Sequence, residues 1–105
     1  MELQKIIELM VAPEKLIDPR QVNVLCGYLS GFITDLEEQI NEENYQVSVK
    51  WAEIRKELTS NAEADRALEL EHIYRQREKT KLKTSQLRRI RADLKDRFTV
   101  LTKYN

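Results

Sequence analysis

The chain reads as an all-α protein: a long antiparallel two-helix hairpin, coiled-coil-like, with a short N-terminal helix packed at its open end. Three observations predict this. Two long stretches keep apolar residues at helical spacing, which marks one buried face on each. Only two Gly and two Pro occur in 105 residues, too few for a chain of many tight turns. The two stripes also mirror each other about a turn near Ser60. Leu58, Ile54, Trp51 and Val47 answer Ala64, Ala67, Leu70 and Ile73. Beyond them Asn44 meets Arg77 and Ile40 meets Thr80 or Lys81. Leu36 then matches Thr84 or Leu87, Leu29 Ile90, Leu25 Leu94, and Val22 Phe98. Paired numbers sum to roughly 121, the constant-sum rule of an antiparallel helix pair.

The expected organisation is one helical domain over residues 1–105, with helices over 1–12, 19–58 and 61–103. In the first, Leu3, Ile6, Ile7 and Met10 share one face, and Pro13 closes the element or follows it. So short a helix is marginal alone and must pack on something. The second opens on Asp18 as N-cap, Pro19 at the first helical position and Gln21 completing a capping box. Ile17 and Val22 stand at hydrophobic-staple positions. At 1.5 Å per residue this helix would run ~60 Å. Ser60 and Glu63 have the S-x-x-E spacing that starts the third helix at Asn61. No Gly or Pro interrupts that helix before Lys103.

At the open end, Val22, Leu25, Tyr28, Leu29, Phe32, Ile33 and Leu36 face Leu87, Ile90, Leu94, Phe98, Val100 and Leu101. That set is wider than a two-helix seam needs, so the first helix, another subunit or both should cover it. Gly27 and Gly31 lie on the same helix, and two glycines inside a helix imply a close approach there.

Formal net charge is zero, yet its distribution is lopsided. Residues 1–74 hold 7 Lys or Arg against 15 Asp or Glu; residues 75–105 hold 11 against 3. Such asymmetry fits a nucleic-acid surface or one helix complementing its neighbour. Lys81, Arg88 and Lys95, spaced by seven, form a line that could track phosphates, joined by Arg89 and Arg91. The hairpin pairing, however, sets Asp35, Glu37, Glu38, Glu42 and Glu43 beside residues 78–86, and charge matching within the hairpin is the stronger expectation. No aromatics interleave with the cations to stack bases.

Asn44 and Arg77 interrupt the apolar seam. Polar seam residues lower stability but fix register and partner choice. A buried arginine needs acceptors, and Glu42, Glu43 and Asn44 are at hand. The alternative is a polar pocket holding a small anionic ligand.

Catalysis, a cofactor and a metal are not expected. The sole histidine, His72, lacks partners at metal-ligand spacing, and no phosphate-cradling glycine loop or activated nucleophile is recognisable. Cys26, the single cysteine, rules out an internal disulfide and reads as a small core residue. Residues 22–33 form the longest apolar patch, too short to span a bilayer. No segment reads as a signal peptide, so a reducing cytoplasm is the expected home.

Trp51-x-x-Ile54-Arg55, then Thr59-Ser60 and Glu63-Ala64-Asp65-Arg66, resembles the central turn of small, functionally uncharacterised helical hairpin proteins of tailed bacteriophages. The likeness covers about residues 45–100. Those proteins commonly carry an aromatic residue and a glycine after the Glu-Ala-Asp/Glu-Arg step, where this chain has Ala67 and His72. The resemblance implies an accessory or host-takeover protein in the cytoplasm of an infected bacterium, and brings no active-site residues with it.

Together these readings favour a non-enzymatic interaction protein, a self-associating scaffold or an inhibitor or adaptor of a partner protein. Leu29, Phe32, Leu94 and Phe98 are the expected core or assembly residues of a homo-oligomer, and Trp51 the anchor of the stalk. The alternative is a nucleic-acid accessory factor using Lys81, Arg88, Arg89, Arg91 and Lys95.

Overall fold

A computed structural model describes residues 4, 5, 8 and 18–104. Of the expected helix over residues 1–12, residues 4, 5 and 8 are described and are helical; the rest of it, its docking and the Ile17 staple lie outside the described residues. Within residues 18–104 the chain is all-helical: α1 spans Pro19–Glu57, α2 Asn61–Glu69 and α3 His72–Tyr104. No helix among the described residues is long and apolar enough to cross a membrane.

Side-chain chemistry sets the helix starts. Asp18 Oδ1 accepts from the Arg20 amide at 2.9 Å, and the Asp18 carbonyl accepts from Val22 N–H at 3.2 Å. Ser60, with extended φ −143° and ψ 158°, caps α2 by accepting from the Glu63 amide at 3.2 Å. The Glu63 carboxylate reaches back one residue further than in a standard capping box, to the Thr59 hydroxyl at 3.0 Å and the Thr59 amide at 3.4 Å. Arg55 ties the connection down from α1, donating to Leu58 O at 2.6 Å and to Asn61 Oδ1 at 2.8 Å.

One expectation fails at the far side of this turn. The continuous helix over 61–103 is broken at Leu70 and Glu71, although neither is a helix breaker. Leu70 N–H bonds Ala67 O at 3.2 Å and Glu71 N–H bonds Leu68 O at 2.9 Å. These i→i−3 bonds tighten the turn to about 3.0 residues and shift the phase of everything before it. Ala64 and Leu68 are therefore the buried residues of α2, while Leu70, expected inside the seam, is 72% exposed. The same shift takes Trp51 away from Leu70: its indole N–H donates to Asp65 Oδ1 at 2.8 Å.

The fold divides into two compact units, a terminal unit of residues up to Thr34 and from Ser85 on, and a central unit of Asp35–Thr84. The described core of the terminal unit is aliphatic. Val22, Leu25, Leu29 and Leu94 are fully buried, with Ile33 and Leu87 close behind. Each such side chain contributes about 1.5–3 kcal/mol through burial. Arg91 crosses this unit to donate to Ser30 Oγ at 3.3 Å. No described side chain would meet a Cβ placed on Gly27 or Gly31 within 4 Å, so the expected close approach finds no neighbour among the described residues.

Candidate interaction surface

The central unit holds most of the polar chemistry. Its α1 and α3 segments are bridged by Gln39 Nε2 donating to Thr80 Oγ1 at 3.3 Å and by Arg77 Nη1 donating to Asn44 Oδ1 at 3.3 Å. The paired numbers run in opposite directions, with Asn44 across from Arg77. Val47 is buried beside a set of polar residues: Glu43, Thr80 and Thr84. The threonines satisfy themselves, Thr80 Oγ1 donating to Gln76 O at 3.0 Å and Thr84 Oγ1 to Thr80 O at 2.8 Å. Glu43 does not. It is 5% exposed, and neither carboxylate oxygen finds a hydrogen-bond partner among the described residues.

Arg77 corrects the expected acceptor set. Besides Asn44 it donates to its own helix neighbour Glu78 at 3.2 Å, and its guanidinium lies 5.1 Å from the centre of the Tyr74 ring. That stacking adds a favourable cation–π contact. Its Nε stays unpartnered. Glu42 instead accepts from Gln46 at 3.3 Å, one turn along its own helix.

Sequence reasoning missed the burial of Glu43. The signal was present, because Ile40, Glu43 and Val47 follow the 3-4 spacing of the seam, but the four adjacent polar residues Asn41 to Asn44 masked which of them points inward.

Several of the central unit's charged groups pair along a single helix. Its ion pairs are Arg77 with Glu78 at 3.2 Å, Lys81 with Glu78 at 3.7 Å, and Lys50 with Glu53 at 3.8 Å and Glu71 at 4.0 Å. The last of these ties α1 to the break between α2 and α3. Gln39–Thr80 and Asn44–Arg77 bridge the two helices, and two charged rows lie on exposed positions. On α1, Asp35, Glu38, Glu42, Tyr45 and Val49 repeat at three and four residues and are all exposed. On α3, Arg75, Lys79, Leu82 and Lys83 do the same. None of these six charged groups forms an ion pair among the described residues.

An apolar groove opens beside the acidic row. Tyr45, Gln46, Val49, Lys50, Glu53 and Ile73 line an open depression of about 330 Å³. Tyr45 is 67% exposed and Val49 42%. With Leu70 and Leu82 also in solvent, the central unit presents much of its apolar surface outward.

The expected site residues therefore fall into separate places. Leu29 and Leu94 are fully buried in the terminal unit, and Phe32 and Phe98 are half-buried there. Trp51, Asn44 and Arg77 belong to the central unit. Of the basic set, Lys81 is held by Glu78 in the central unit, and Arg91 is half-buried and engaged with Ser30 in the terminal one. Arg88, Arg89 and Lys95 are exposed in the terminal unit. Lys95 and Arg91 both lower the Cys26 pKa, but burial outweighs them and pushes this thiol above its ordinary value. His72 is exposed, and no group of three His, Cys, Asp or Glu among the described residues could hold a metal ion.

No family model, no curated protein and no solved structure matches this chain.

Proposed function

We propose that this chain is a non-enzymatic interaction protein, a long antiparallel helical hairpin with a short N-terminal helix at its open end. It acts as a self-associating scaffold or as an inhibitor or adaptor of a partner protein. The resemblance to helical hairpin proteins of tailed bacteriophages extends the proposal to an accessory or host-takeover factor working in the host cytoplasm. The observation that carries the reading is the exposed apolar surface of the central unit, Tyr45 and Val49 lining a groove with Ile73, with Leu70 and Leu82 also exposed in the same unit. Singly exposed apolar residues are ordinary, whereas a groove rimmed by Lys50 and Glu53 has the make-up of a protein contact, an apolar centre within a polar edge.

A photo-crosslinking amino acid in place of Tyr45 tests this in cells. The expected result is a discrete protein adduct, of this chain or another, that disappears when Val49→Glu is added. Adducts to nucleic acid, or none at all, would contradict it; the former would favour the nucleic-acid reading based on Arg88, Arg89 and Lys95.

A further inference from the structure

We propose that the occupant of this face is a second copy of the chain, arranged about a two-fold axis parallel to the helices, with Glu38 and Glu42 of each copy opposite Lys83 and Lys79 of the other. The inference rests on the interaction reading above and names its partner.

Charge complementarity carries it. Asp35, Glu38 and Glu42 form a row of carboxylates on the exposed side of α1, and Arg75, Lys79 and Lys83 a row of cations on the exposed side of α3. Neither row forms an ion pair among the described residues. Both belong to the same compact unit, and the proposed contact sets them on one face, so that one surface carries both halves of a matching pair. Self-complementarity of this kind is what an isologous contact requires, since each residue then meets its counterpart twice. A long polyanion is a poorer occupant, because the exposed carboxylates of α1 would repel it.

The register follows from symmetry. Rotation about an axis parallel to the helices moves nothing along them. The α1 segment of one copy therefore meets α3 of the other at the level it already shares with its own α3, Asn44 with Arg77 and Gln39 with Thr80. At that level Glu42 lies opposite Lys79 and Glu38 opposite Lys83. Tyr45 and Val49 continue the α1 row at the same three- and four-residue steps, so the groove beside them closes in the same contact. The apolar groove supplies affinity and the charged rows choose partner and register.

Two charge-reversed proteins test it: Glu38→Lys/Glu42→Lys, and Lys79→Glu/Lys83→Glu. All four positions are exposed, and far-ultraviolet circular dichroism checks that each protein keeps its helices. Sedimentation velocity at low salt should give a concentration-dependent dimer for the unaltered chain, dissociating as salt rises. Each reversed protein alone should dimerise at least about tenfold more weakly, because every facing pair becomes repulsive. An equimolar mixture should recover the dimer, since one copy then carries two basic rows and the other two acidic ones. Should either reversed protein fold poorly, the chain with all four substitutions restores complementarity and should dimerise like the original.

A monomeric unaltered chain, reversed proteins that dimerise normally, or a mixture that stays monomeric would each overturn the inference. So would salt-sensitive binding of labelled nucleic acid by a monomer, abolished only by Lys79→Glu/Lys83→Glu. If the chain is monomeric yet position 45 crosslinks another protein, self-association fails and the interaction reading stands. If it is monomeric and position 45 crosslinks nothing, both fail.

Discussion

The terminal and central units share α1 and α3 but fill their interiors differently. In the terminal unit, Val22, Leu25, Leu29 and Leu94 are sealed from solvent and form an aliphatic core. The central unit buries Glu43, Thr80 and Thr84 together with Val47, Ala64 and Leu68, and exposes Tyr45, Val49, Leu70 and Leu82, as the terminal unit exposes Val24, Tyr28 and Val100. Apolar burial is the dominant favourable term in folding, and an unsatisfied buried carboxylate works against it. The difference teaches that helical periodicity is not one quantity along a chain. Both units expose some apolar side chains, but the described core of the terminal unit is aliphatic, whereas the central one mixes apolar and polar groups.

The largest test removes a core side chain from the terminal unit. Leu29→Ala should destabilise the protein by about 2–5 kcal/mol, visible as a lower midpoint in urea denaturation. Val47→Ala, a smaller side chain in a mixed polar setting, should cost less. Equal losses at the two sites would erase the contrast between the units.

Glu43→Leu sharpens the comparison from the other side. Removing a buried carboxylate without a hydrogen-bond partner should stabilise the central unit by about 1–3 kcal/mol and raise the melting temperature. A fall in melting temperature would mean that the carboxylate holds this seam together.

The connection between α1 and α2 comes next. Ser60→Ala removes the acceptor for the Glu63 amide and should cost about 1 kcal/mol. Ser60→Asp should restore most of it, because the aspartate oxygen caps equally well.

Smallest in free energy, and specific to the terminal unit, is the Cys26 thiol. Burial holds its pKa above the ordinary value, so the neutral thiol is the favoured form in the fold. Alkylation near pH 8 should therefore be slower in the native protein than after denaturation. The sign for stability follows: the contribution is fully present below the unfolded thiol's pKa and is lost as pH rises through the higher folded value. Faster alkylation of the native protein would show that Lys95 and Arg91 outweigh burial.

The sequence made the helix starts legible because capping chemistry is local. Asp18 with Pro19, and Ser60 with Glu63, act within one turn, and α1 and α2 begin there. The break at Leu70 was hidden, since leucine and glutamate are good helix formers and the cause is a change in hydrogen-bond period rather than a residue type. That single shift moved Leu68 inward and Leu70 outward, and carried Trp51 to Asp65.

At the candidate surface, the Asn44–Arg77 link was legible from the mirrored spacing. The exposed charged rows were not. The mirrored spacing set the acidic residues of α1 beside the basic stretch of α3, but spacing alone does not tell which of those charges point outward, as Asp35, Glu38, Glu42, Arg75, Lys79 and Lys83 do.

Hydrogen exchange of backbone amides, followed residue by residue as protein concentration rises, addresses both halves of this account at once. The terminal core around Leu25, Leu29 and Leu94 should be the best protected part at every concentration. Protection over residues 38–49 and 75–83 should be lower in dilute solution and should grow with concentration as copies cover each other. Uniform protection along α1 and α3, unchanged by concentration, would contradict the division into a stabilising unit and an associating one.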